Sequence, residues 1–167
     1  MHQAVVEYLE RVKERFPEHF ANAKVLELGS LDVNGSPRPF FSDCEYLGVD
    51  WRPGPCVDVV AFAHELTFPS ESLDTVISTE MFEHDRFAKH SFLNALRMLK
   101  PNGLFVFTCA NKKRAQHEVT SGLNGHYKGI SKQELMSWLR LSGCKCRFEV
   151  ESAGEDLRGW IKLEQPI

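Results

Sequence analysis

The sequence predicts an α/β protein with a doubly wound, mostly parallel sheet whose last strand is reversed. Three observations carry that reading. First, an apolar run, Val25-Leu26-Glu27-Leu28, breaks at Gly29-Ser30; a second run, Tyr46-Leu47-Gly48-Val49, ends on Asp50 and Trp51. Strand, glycine turn, strand and acid are how an α/β protein holds the ribose of a nucleotide-like molecule. Second, strand-like and helix-like segments alternate to about residue 143, which calls for a parallel sheet with helices on both faces. Third, the last two apolar segments are joined only by Ala153-Gly154-Glu155-Asp156. A parallel crossover needs roughly a dozen residues, so this pair must form an antiparallel hairpin.

Each element follows in order. Val5, Val6, Leu9, Val12 and Phe16 recur at helical spacing, so residues 3 to 16 form an amphipathic helix that ends near Pro17. Val25 to Leu28 is apolar enough for a central strand. Ser36-Pro37 pairs an N-cap residue with proline at the first helical position, and Pro39 keeps the resulting helix short or irregular. Tyr46 to Val49, Cys56 to Val60 and Leu73 to Ser78 are the second to fourth strands. Phe92, Leu93, Leu96 and Leu99 form a helical stripe stopped by Lys100-Pro101-Asn102-Gly103. Leu104 to Cys109 is the fifth strand. A polar, glycine-bearing loop spans residues 110 to 130. Ser131 and Glu134 form a capping box for a helix through Leu141 that Gly143 closes. Strands over 144 to 150 and 157 to 163 complete the expected chain.

Composition excludes several classes. At 167 residues one domain is expected. Hydrophobic residues make up 43% and charged residues 26%, with a net charge of −3, so no wide basic surface exists to grip a nucleic-acid backbone. No apolar stretch approaches the ~18 residues of a membrane span. Mixed charge from Glu7 to Arg15 argues against a secretory leader. The five cysteines, Cys44, Cys56, Cys109, Cys144 and Cys146, are odd in number and sit mostly in apolar runs, which reads as free thiols in a reducing, cytoplasmic setting without a metal.

The motifs together resemble the class I S-adenosylmethionine-dependent methyltransferases, of the small single-domain type 11 kind. Val25 to Ser30 is similar to the family's first motif and Leu47 to Asp50 to its second. Ala61 to Phe68 resembles the segment over adenine, Ser72 to His84 the fourth motif and its tail, and Leu96 to Phe107 the helix, turn and strand that follow. The resemblance spans about residues 24 to 143. It implies a Rossmann-like class I methyltransferase fold: an N-terminal helix within 1–20, a cofactor core over 24–143 and a C-terminal β-hairpin over 144–167.

It also implies S-adenosyl-L-methionine as cofactor and a small-molecule acceptor, since no added domain is present to recognise a macromolecule. Gly29, Ser30 and Gly35 would let backbone approach ribose and methionine, Gly29 because it has no Cβ. Asp50 would accept the ribose hydroxyls and Trp51 would lie against adenine. Glu27, an acid inside an apolar strand, needs a partner and would serve loop amides and the cofactor's ammonium. Phe62, Ala63 and His64 would border adenine, and Thr79 and Glu80 the methionine end. His84 is the candidate base, because histidine titrates in the useful range. The acceptor would face the loop carrying His117, His126 and Tyr127, with Lys112, Lys113 and Arg114 able to hold an acidic group.

Two departures from the family pattern stand out. The first loop, Gly29 to Gly35, places its second glycine late, and Phe62 stands where an acid usually meets adenine. The loop does not read Gly-x-Gly-x-x-Gly, which disfavours a nicotinamide-dependent oxidoreductase. A non-enzymatic module keeping the same fold is the other alternative.

Overall fold

The computed structural model describes residues 1–116 and 125–165 of the chain. Among the described residues seven strands form one sheet in the order β3-β2-β1-β4-β5-β7-β6. They are β1 (Lys24–Leu28), β2 (Glu45–Asp50), β3 (Val59–Val60), β4 (Leu73–Thr79), β5 (Leu99–Ala110), β6 (Lys145–Ala153) and β7 (Asp156–Gln165). The pairings among β1 to β5 are parallel, and β7 runs antiparallel to both neighbours. The reversed strand expected from the short Ala153–Asp156 link is therefore present.

Among the described residues three α-helices, α1 (Gln3–Arg15), α2 (Ala88–Met98) and α3 (Lys132–Ser142), cover the two faces. Strand alternation sorts the core. Val25, Ile77, Leu104, Val106 and Trp160 meet Val5, Leu9 and Val12 of α1. Leu26, Leu28, Val76, Phe105, Phe107 and Ile161 point the other way, against Phe92, Leu96, Leu135 and Leu139 of α2 and α3. Period-2 alternation on the sheet and 3.6-period stripes on the helices account for both layers. Ser131 caps α3 by accepting the Glu134 amide at 3.2 Å, and Gly143 ends that helix at φ 68°.

Three expectations change in detail. The helix at Ser36-Pro37 is a single 3₁₀ turn, Arg38–Phe40, as Pro39 requires. The third strand is only Val59–Val60, because Cys56 sits in left-handed backbone (φ 66°) that no strand can continue through. Strand β5 starts at Leu99 rather than Leu104. It does so through an irregularity at Asn102 (φ 62°), where the register with β4 jumps from Leu73↔Leu99 to Thr75↔Leu104. Among the described residues no helix is long and apolar enough to cross a membrane, and all five cysteines are free thiols.

Candidate active site

The loops that leave the carboxyl ends of β1, β2, β3 and β4 surround one cleft, the edge where open α/β sheets bind ligands. Its first wall is the turn after β1. Gly29 has φ 78°, and a Cβ there would lie 2.5 Å from the Met81 Cβ. The turn therefore needs glycine both for its backbone and for close approach of the loop after β4. The Gly29 and Ser30 amides donate to the Val49 carbonyl at 2.9 and 3.1 Å, tying the turn to β2.

Asp50 ends β2 with its carboxylate held from two sides. The Arg52 amide donates to Oδ1 at 3.0 Å and the Leu31 amide to Oδ2 at 3.3 Å. Trp51 follows on the cleft wall, with the Arg52 guanidinium 5.0 Å from its ring. Glu27 points to the α1 side of β1, only 1% exposed yet lining the cleft. Tyr46 donates to its Oε2 at 2.8 Å. Burial pushes the Glu27 carboxyl up to about 8, the Tyr46 hydrogen bond only partly opposing it.

The far end of the cleft is ionic. Glu80, just after β4, has φ 57°, an uncommon conformation for a side chain-bearing residue that clusters at functional sites. Its amide donates to the Thr108 carbonyl at 2.8 Å and its Oε1 accepts from the Thr108 hydroxyl at 3.0 Å. Arg114, from the loop after β5, donates to both Glu80 and Asp156. His2 Nε2 stands 3.7 Å from Glu80 and 3.6 Å from Asp156. The side-chain atoms of His2, Glu80 and Asp156 converge, and the Arg114 guanidinium sits among them. Behind them Glu83 is fully buried. Its Oε1 accepts the Ala110 amide at 3.1 Å, and burial, followed by the charge of Glu80, pushes its carboxyl up to about 8.

Eleven of the twelve residues singled out in the sequence line this cleft: Glu27, Gly29, Ser30, Gly35, Asp50, Trp51, Phe62, Ala63, Thr79, Glu80 and His84. His64 does not. Its ring is drawn between Phe62 and Phe87, at centroid distances of 5.6 and 4.2 Å, so it packs behind the wall. Tyr127 lies edge-on to His84 at 5.2 Å. Lys112 turns toward Glu134 at 3.8 Å; of the three basic residues only Arg114 reaches the cleft. His117 lies outside the described residues.

Sequence reasoning missed Asp156, Glu83, Met81 and Phe87. An acid between Phe82 and His84, three places after Glu80, was a readable signal for Glu83. Asp156 arrives from the start of β7 and had none.

Comparison with known proteins concerns the fold and a matched segment within it. Residues 40–107 match a family described as a methyltransferase domain, of type 11. Among curated proteins no match is found. Several solved structures share the fold. A Thermotoga maritima S-adenosylmethionine-dependent methyltransferase, a possible histamine N-methyltransferase, is 17% identical, with 93% of this chain and 96% of that one covered and a TM-score of 0.58. The Burkholderia thailandensis 1,6-didemethyltoxoflavin-N1-methyltransferase, with S-adenosylhomocysteine bound, is 13% identical, with 95% and 90% covered and a TM-score of 0.64. The Haemonchus contortus phosphoethanolamine N-methyltransferase 2, in complex with S-adenosyl-L-methionine, is 15% identical, with 96% and 52% covered and a TM-score of 0.70. The matched segment runs from the turn before β2 into β5, and the strand order and reversed β7 complete the same architecture. Residues 40–107 thus match a methyltransferase-domain family, and the chain shares the fold of solved S-adenosylmethionine-dependent methyltransferases.

Proposed function

We propose that the chain transfers a methyl group from S-adenosyl-L-methionine to a small-molecule acceptor. The supporting observation is convergence: acids, glycines and aromatics far apart in sequence line one cleft at the carboxyl edge. The residues fit the cofactor chemically. Asp50 is braced by two amides, which leaves lone pairs on its carboxylate for vicinal hydroxyls. The Ser30 hydroxyl is buried on the cleft wall with no hydrogen-bond partner among the described residues. Trp51, Phe62 and Ala63 offer the apolar surface an adenine requires.

When bound, the cofactor supplies a methyl already activated by its sulfonium. The chain's own work is positioning, because a line of nucleophile, methyl and leaving group at about 3 Å removes most of the entropic barrier. Asp50 and Glu27 hold the two ends of the cofactor, the latter toward its ammonium. Thr79 and Glu80 border its methionine end. His84, beside Tyr127, is positioned to take a proton where the acceptor is a hydroxyl. Small acceptors suit the cleft, and the acceptors in the names of the similar structures are small molecules too.

Calorimetry with S-adenosylhomocysteine tests this reading. Replacing Asp50→Ala should weaken binding by about 1–3 kcal/mol, roughly ten- to a hundredfold, as for a lost pair of charge-assisted hydrogen bonds. Unaltered affinity, or thermal stabilisation by NAD alone, would contradict it.

A further inference from the structure

We infer that the acceptor end of the cleft takes a protonated amine, docked on the carboxylate of Glu80, with Glu83 behind it as a positioning residue. This rests on the methyl-transfer reading above.

The charge balance points there. Three carboxyl groups, Glu80, Asp156 and Glu83, surround a single guanidinium, Arg114, which donates to the first two and stands 3.7 Å from the third. His2 is 45% exposed, so solvent screens whatever charge it brings. Glu83 is fully buried, and its Oε2 has no hydrogen-bond partner among the described residues. A buried carboxyl oxygen without a partner is costly, so it signals a missing donor or a missing positive charge. An anionic acceptor would meet the carboxylates of Glu80 and Asp156 and a guanidinium that the two already share. An alcohol or thiol would leave the excess negative charge uncompensated. An ammonium brings both the charge and the N–H donors.

An ammonium has no free lone pair. Glu80 accepts one of its protons, which leaves a neutral amine able to act as nucleophile, and that proton passes to water when the product leaves. Glu83 tunes this exchange through its charge: burial, and then the charge of Glu80, make Glu83 hold its own proton more firmly, so it adds negative charge beside Glu80 only once it ionises. The groups facing Glu83 are Glu80, Arg114, Cys109 and Tyr127, with Asp156 reached through Arg114. Val33 and Phe87, both exposed on the same cleft, suit an amine with an apolar body.

The test is calorimetry on protein saturated with S-adenosylhomocysteine, using propylamine, cyclohexylamine and phenethylamine against propanol, cyclohexanol and phenethyl alcohol. At least one amine should bind about tenfold or more tighter than its matched alcohol, with a preference that falls as salt rises. Glu80→Gln should cut that preference to about threefold or less. In the unsubstituted protein amine affinity should rise about threefold between roughly pH 7 and 8.5, as Glu83 ionises. Glu83→Gln should flatten that rise while leaving S-adenosylhomocysteine affinity unchanged.

Equal binding of amines and alcohols overturns the inference, as does a preference that survives Glu80→Gln or is indifferent to salt. A pH profile unchanged by Glu83→Gln removes the role given to Glu83. If Glu80→Gln fails to fold, the salt dependence decides instead. Protein that binds no S-adenosylhomocysteine overturns the methyl-transfer reading as well, which separates the two failures.

Discussion

Two buried polar clusters sit at opposite edges of the sheet, and they are built differently. At the amino edge, Lys162 donates to His19 Nε2 at 2.5 Å, and His19 Nδ1 donates to the Asp74 carbonyl at 3.1 Å. The Thr75 hydroxyl donates to the His19 carbonyl at 2.9 Å. These side chains are all nearly buried, and each has a partner. At the carboxyl edge the Ser30, Ser78 and Glu83 side chains each keep a buried oxygen without a partner among the described residues, and Glu80 holds a positive φ. The contrast teaches how to tell support from function. Satisfied buried polar groups hold strands in register, whereas unsatisfied ones mark where stability has been exchanged for a ligand site.

The largest expected effect lies at the amino edge. His19→Leu leaves the Lys162 ammonium nearly buried, facing the exposed Glu18 carboxylate 3.4 Å away and the Phe16 ring. It should cost about 3 kcal/mol of stability, while cofactor affinity stays the same. Denaturant melts and calorimetry read both, and a loss confined to cofactor binding would reverse the comparison. Burial, and then the charge of Lys162, hold the His19 imidazole below its ordinary value, consistent with a neutral ring.

At the carboxyl edge neutralisation should work the other way. The Glu83 carboxyl titrates at about 8 when folded, against 4.5 as the ordinary value. Between those two values the folded chain keeps a proton that the unfolded chain has released. Stability therefore falls as pH rises through that window. Glu83→Gln should raise stability by about 2 kcal/mol at pH 8 and leave it nearly unchanged at pH 4. Thermal melts at the two pH values check this; a destabilised variant at pH 8 would place Glu83 among the structural groups.

The smallest effect sharpens the role of Glu27. Its carboxyl also holds a proton up to about 8, and an arriving ammonium favours the ionised form. S-adenosylhomocysteine binding should then release close to one proton near pH 7 and tighten about twentyfold between roughly pH 6 and 7.5. Calorimetry in buffers of different ionisation enthalpy measures the proton count. Glu27→Gln should abolish the release, and the same release without Glu27 would assign it elsewhere.

Much of this arrangement was legible in the residues. The helical stripe from Val5 to Phe16, the cap at Ser131 and the short Ala153–Asp156 link each act over a few positions, so spacing alone revealed them. So did the strand ends that carry Gly29, Asp50 and Glu80, because an apolar run that stops at a glycine or an acid marks its own edge. His64 was misplaced for the opposite reason. Its neighbours Phe62 and Phe87 are 25 residues apart, and only their shared packing turns its ring away from the cleft.

The sequence by itself determined the sheet, its reversed last strand and which corner gathers the candidate cofactor residues, since these follow from periodicity and from loops too short to cross over. Tertiary structure alone decided the character of the ionic end of the cleft. Glu80, Glu83, Arg114 and Asp156 come from three separate parts of the chain, and what each does depends on the charges the fold sets beside it in a medium with little water. Local spacing carries no information about that.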